Sequence, residues 1–311
     1  MLLRLARLTM RGPWIAILMV AVTGLLALPF GPALFVSGAL VALVTLRQGP
    51  AGGLRVVAGA AALLGAGVLA LSGRVGPAVL TIGVLWFAVW SAAGILRTGG
   101  RQGLAVSALG LWTAGYATAM RLGVTDVDEF WTSRLRALNA GIEAQGGEFL
   151  TTAQLDLYGG MMHEASIAML YLMLGSMLML GRYWQAGLYN PGGFRTEFRT
   201  LSLPGGAWAA GALVALASML SRLAGKPVGV LEDLLLLAVM VFSWQGLAVM
   251  HARILAGMHW LWAWGFYSLF LALPQLVVLV LAGIGISDRY KDYRRLRVQV
   301  PQKPEDTTGQ A

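Results

Sequence analysis

Few side chains in this sequence could do chemistry from within an apolar setting. Glu164 stands in "MMHEAS", beside His163, at the start of a long apolar band. A charge at the centre of a membrane span costs roughly 2.5 to 3.5 kcal/mol on insertion scales, so a carboxylate there needs a reason. The helix dipole and headgroup water near a first turn supply one, and a bound ligand would supply another. Gln245 in "FSWQGLAVMH", next to Trp244, is the deepest polar side chain of the later bands. It can bond a neighbouring helix or, with Trp244, line a ligand cavity. His163 is not half of a zinc pair, because Ile167 occupies the position where HExxH requires a second histidine. The "GKP" at Gly225 to Pro227 lacks the glycine frame and hydroxyl residue of a phosphate loop. Nucleophile elbows, paired histidines and a transmembrane acid pair are missing too, which argues against an enzyme or a self-contained pump. No catalytic residue, metal or cofactor is expected, and no ATPase within the chain.

These residues must be positioned by membrane helices. The composition is 58% hydrophobic and 12% charged, whereas about a quarter of residues are charged in a soluble domain. Apolar bands run from Pro13 to Pro29, Pro32 to Leu46, Leu54 to Ser72, Pro77 to Leu96 and Leu104 to Met120. Others run from Met161 to Leu180, Ala207 to Leu220, Leu231 to Met250 and Trp260 to Ile286. Several have the roughly 17 to 25 residues that a helix needs to cross hydrocarbon about 30 Å thick. The period-two alternation of a membrane β-barrel is absent. The expected fold is an all-α polytopic transmembrane bundle of about eight to ten spans.

Charge placement predicts the orientation. The net charge of +9 would suggest nucleic acid in a soluble protein, but the arginines sit in short segments beside apolar bands, as topology signals do. No nucleic-acid partner is expected; the bilayer is. Arg4, Arg7 and Arg11, then Arg47 and Arg55, Arg97 and Arg101, and Arg182, Arg195 and Arg199 fall in alternate connections, which should be cytoplasmic. Acids outnumber bases from Arg121 to Gly160, so that segment should face outside. Counting crossings from there leaves "SDRYKDYRRLR" on the outside, against its own basic character. Either the band at Ala207 to Leu220 fails to cross, or the run from Trp260 to Ile286 bends at Pro274 into two short pieces. Both termini inside an inner membrane, with an even number of spans, is the favoured reading. The N-terminus shows no cleavage site and reads as a retained first span. Residues 1–300 read as one transmembrane domain with an outer segment at about 121–160, and residues 301–311 as a disordered cytoplasmic tail.

Within the outer segment, Phe130, Trp131, Leu135, Leu138 and Ile142 recur at helical spacing after a cap at Thr125 with Asp128. This predicts an amphipathic helix on the outer surface. Ala58, Ala62, Ala66 and Ala70 share a helical stripe, as do Ala207, Gly211 and Ala215, and such stripes serve internal packing or the docking of another subunit. Trp86, Trp90, Trp112, Trp208, Trp260, Trp262 and Trp264 include several near band ends, where interfacial anchoring is the first expectation.

Between two bands lies "GRYWQAGLYNPGGFRTEFRTL". In its "NPGG", Asn190 to Gly193, Pro191 suits the second position of a type II turn and Gly192 supplies the positive φ of the third. Phe194 and Phe198 then share one helical face, Arg195 and Arg199 another, as in a short interfacial helix that docks a partner or anionic headgroups. With "WQGLAVMH" and "GIGISDRYKDYRRLR", this stretch resembles the YybS-like family of bacterial membrane proteins of unknown function, in its proteobacterial form. That family is similar, at a distance, to the substrate-binding S components of energy-coupling-factor transporters, which borrow ATPases and a membrane scaffold from partners. The resemblance implies an S-component-like core and a small-molecule-binding transport subunit. The chain departs from it in having more than six apolar bands, so no ligand residue is transferred. The alternative is a membrane scaffold or assembly factor without a ligand.

Overall fold

Proline and glycine set the helix ends. Prolines stand in the first positions of four helices, where a missing N–H costs nothing, and left-handed Gly73 and Gly100 follow the ends of two of the same helices, where a side chain would be strained. In the computed structural model, residues 2–147, 150–226, 228–254 and 260–294 are described. The helices are α1 (Leu2–Thr9), α2 (Pro13–Leu26), α3 (Ala33–Gln48), α4 (Pro50–Ser72), α5 (Pro77–Gly99), α6 (Gln102–Gly123) and α7 (Val127–Glu143). They continue as α8 (Thr152–Tyr189), α9 (Gly193–Arg199), α10 (Gly205–Leu223), α11 (Gly229–Val249), a π turn (Met250–Ile254), α12 (Trp260–Ala272) and α13 (Pro274–Lys291). No strand occurs among the described residues, and the fold is an all-α helical bundle. The tail expected at 301–311 lies outside the described residues.

Five helices are long and apolar enough to cross a membrane, or six if α12 and α13 count as one broken span. That is fewer than the eight to ten spans expected from the bands. The first two bands form helices of only 14 and 16 residues. The 22-residue α6, which carries Gln102, Ser107, Thr113, Tyr116 and Arg121, is not among the five either.

The core consists of two adjoining apolar clusters. One is built mainly from α5, α6, α8, α11 and α13, the other from α1 to α5 together with Trp184. Close backbone approach is concentrated at a few glycines. A Cβ on Gly246 would lie 1.8 Å from the Leu281 carbonyl oxygen, and one on Gly285 would lie 2.4 Å from that of Phe242, so α11 and α13 touch main chain to main chain. The alanine stripe of α4 is different: Ala58, Ala62, Ala66 and Ala70 are all exposed, and α4 packs through Gly53, Val56, Val57, Ala60 and Leu64 instead. Of the second stripe, Gly211 is buried against Phe242 while Ala215 is exposed. Trp86 is wholly buried rather than interfacial, whereas Trp260, Trp262 and Trp264 are more than 60% exposed.

The basic connections gather at one end. Arg97 Nη1, at the end of α5, donates to the carbonyls of Leu46 and Arg47 at the end of α3. Arg47 lies 4.3 Å over the Tyr189 ring at the end of α8, and the start of α6 abuts Ser202 through Gly103. At the opposite end, α7 packs along the first turns of α8, with Arg136 bonded to Asp156 at 2.8 Å. The cap of α7 is Asp126, whose carboxylate accepts from the Glu129 amide at 2.9 Å, one residue after the expected Thr125. Because α7 rests on an extension of α8, it is a helical hairpin partner and not an isolated surface helix.

The last two helices explain the counting conflict. α12 and α13 are bent by 118° about Pro274. His251 at the end of α11 contacts Phe198 of α9, and Tyr267 of α12 bonds to His251. At the far end of α13, Arg294 donates to the carbonyls of Arg199 and Leu201. The unit therefore leaves the α9 end and returns to it. Reporters fused after Asn190 and after Arg294 should read the same side of the membrane, and one at Gln145 the opposite side; a C-terminal reporter that agrees with Gln145 would exclude this path.

Candidate functional site

The turn before α9 forms as its residues dictate. Gly193 N–H donates to the Asn190 carbonyl at 3.0 Å, and Gly192 has φ 85° and ψ −19°, the third position of a type II turn. The chain reverses and the seven residues of α9 are laid across the end of α8. Glu197 holds them there: its carboxylate accepts from both Nε and Nη2 of the buried Arg182 in α8. Such bidentate pairs combine charge with fixed geometry.

Against the other face of α9 lies a cavity of about 340 Å3, lined by Phe194, Arg195, Phe198 and Arg199 together with Trp244, Leu247, His251, Tyr267 and Met179. Phe194 stacks on Phe198 with centroids 5.8 Å apart, and Phe198 meets the edges of Trp244 and His251 at 6.4 and 5.4 Å. Phe198 is buried in protein rather than dipping into headgroups. Gly175 makes room for Trp244, since a Cβ there would come within 2.5 Å of the indole. The π turn carries His251 to the cavity. Its Nδ1–H donates to the Leu247 carbonyl at 2.8 Å, so in the neutral ring Nε2 accepts from the Tyr267 hydroxyl at 2.9 Å. Arg195 and Arg199 have no side-chain partner among the described residues; Arg195 is exposed and Arg199 half-buried. The arrangement is an aromatic cleft with two unpaired guanidinium groups, suited to a largely apolar molecule bearing negative charge.

Gln245 stands next to Trp244 but is engaged elsewhere. Its Oε1 accepts from the Leu203 N–H and its Nε2 donates to Asp288, both at 3.0 Å, while Asp288 also accepts from Arg294 at 2.8 Å. It is 2% exposed, so its amide ties α11, α13 and the segment after α9 together. Glu164 lies at the opposite end. It sits 3.6 Å from Arg121, whose guanidinium also grips Asp233 at 2.7 and 2.9 Å. Asp233 and Gln245 are twelve residues apart on one helix, about 18 Å at 1.5 Å per residue. The structure thus brings Trp244 to the residues of the α9 corner and keeps Glu164 apart from them.

The network around Asp233 was not legible in advance. Asp233 stands near the start of its helix, where the dipole alone would favour an acid, yet it is fully buried and accepts from His163 Nε2 at 3.0 Å as well as from Arg121. Arg182, Asp288 and Arg294 were missed too. Their signal was a charge at the edge of an apolar run, but Glu197, Gln245 and the Arg199 and Leu201 carbonyls that they bond belong to other parts of the chain. A wider cavity of about 640 Å3 between α5, α6 and α8 is lined by Leu80, Trp112, Tyr116, Ser166, Met169 and Met173 among others, with no charged group. Among the described residues no group of His, Cys, Asp or Glu could hold a metal ion. No family model, curated protein or solved structure matches the chain.

Two substitutions separate the roles here. Gln245→Leu should lower thermal stability in detergent by about 1–3 kcal/mol, because the Leu203 N–H and the Asp288 carboxylate lose a buried partner. Unchanged melting would show that the amide is not a structural tie. Gly192→Val should loosen α9, since a β-branched residue at positive φ carries about 1–3 kcal/mol of strain; proteolysis between Tyr189 and Leu201 should accelerate, and equal cleavage rates would count against it.

Proposed function

We propose that the chain is a multi-pass subunit of a bacterial inner membrane that binds a small, largely apolar anion at the α9 corner and has no ATPase of its own. The observation that carries this reading is the cleft in which Trp244, Phe198, His251 and Tyr267 surround space beside the unpaired Arg195 and Arg199. Pockets of this kind, apolar with a few convergent polar groups, are the usual form of a small-molecule site. The YybS-like resemblance, with its kinship to transporter S components, supports the same reading and would make partner subunits the source of energy for movement. Gathering of the basic connections at the α9 end supports a cytoplasmic corner and cytoplasmic termini. Eight end-to-end passes, by α2 to α6, α8, α10 and α11, followed by the returning α12–α13 unit, give the even count this needs.

A second reading keeps one observation in its favour. The centre beside Gln245 is filled by side-chain and backbone bonds, as a ligand-free scaffold or assembly factor would have it. Purification in mild detergent with mass spectrometry of bound small molecules and co-purifying proteins separates the two. On the binding reading an anionic small molecule accompanies the wild type, and at least tenfold less accompanies Trp244→Ala or the pair Arg195→Glu with Arg199→Glu. Retention of partner proteins without any small molecule would favour the scaffold.

A further inference from the structure

The opposite face of α9 borders a second cavity of about 370 Å3, reached by Arg97, Gly100, Arg182, Gln185 and Glu197. Its chemistry differs from that of the aromatic cleft. Arg182 is 6% exposed and gives Nε and Nη2 to Glu197, while its Nη1 is buried and has no hydrogen-bond partner. A buried guanidinium nitrogen without an acceptor is costly, and a native structure seldom keeps one without use. Arg97 reaches the same space after giving Nη1 to two carbonyls. Two guanidinium groups therefore face one carboxylate, leaving one positive charge in excess. Gly100, left-handed at φ 62°, lines the cavity two residues before the 22-residue α6 begins, and a helix start nearby adds favourable potential for an anion.

We propose that this cavity binds a small oxyanion, a phosphate or carboxylate group, with Arg182 Nη1 as the buried donor and Arg97 and Gln185 as flanking donors. Guanidinium donors are planar and match such oxygens, whereas a neutral molecule would leave the excess charge unbalanced. The site is independent of the aromatic cleft, because α9 separates them: Glu197 faces one and Phe194 and Phe198 face the other. A phosphate group can come from free solute or from a phospholipid headgroup at this end of the bundle, and both present the same oxygens.

The test uses the full chain, with thermal stability and native mass spectrometry as readouts. Inorganic phosphate is titrated against chloride of equal ionic strength in maltoside micelles, which carry no phosphate group, and phosphatidylglycerol is titrated separately into the same micelles. Wild type should show saturable stabilisation by phosphate, or by phosphatidylglycerol if the headgroup is the natural source. Arg182→Lys, which keeps a charge beside Glu197 but loses the second nitrogen, should weaken the effect at least tenfold, and so should the milder Gln185→Leu. Arg136→Gln, at the opposite end of the bundle, should leave it unchanged whether or not the aromatic cleft binds anything. Absence of saturable stabilisation from either source, or equal responses in wild type and both cavity variants, would overturn the proposal.

Discussion

Main-chain polar groups that leave a helix in an apolar medium must be bonded within the protein, and the end of the bundle around α9 is organised by that requirement. Arg97 closes the last carbonyls of α3. Arg294 closes those of Arg199 and Leu201, and Gln245 takes the N–H of Leu203. In each case a long side chain from one helix reaches the irregular backbone of another. Those bonds also fix relative position, so α3 is tied to α5, and the segment after α9 to α11 and α13. The geometry of both cavities beside α9 follows from where these ties hold it.

The two ends of the molecule handle charge differently. Around α9 the guanidinium groups outnumber their acid partners among the described residues, and Arg195 and Arg199 have no side-chain partner among them. At the other end Asp233 is balanced by Arg121 and His163, with Glu164 nearby, and Arg136 is shared by Glu129 and Asp156. A paired network of this kind rigidifies more than it binds, because its acceptors are already occupied. That contrast directs attention to the α9 end for ligand chemistry.

Much of the helical framework could be read from residue types. Pro50, Pro77 and Pro274 mark helix starts, and Asn190 to Gly193 form the turn that their φ preferences demand. Burial could not be read in the same way. Lipid is as apolar as a protein core, so hydrophobicity does not separate inward from outward faces; hence the residue types left open whether the alanine stripe of α4 packs inward or faces out, and did not mark Trp86 as buried. Pairings such as Arg121 with Asp233, 112 residues apart, depend on which helix ends meet. Position along one chain carries no record of that. The role of Gln245 illustrates the limit: its depth was evident, but the two partners that occupy it, the Leu203 N–H and the Asp288 carboxylate, come from two other segments.

The returning path of α12 and α13 has a consequence for biosynthesis. Since α11 ends beside Phe198 and Arg294 lies beside Arg199, the described residues after α11 need not be carried through the bilayer. On the proposed cytoplasmic placement of the α9 corner, Arg289, Lys291 and Arg294 would stay on the side where the ribosome made them, and the insertion machinery would not have to move these cations across hydrocarbon. The 13 residues of α12 and 18 of α13 can then settle against α11 by folding alone, after the preceding helices are already in place.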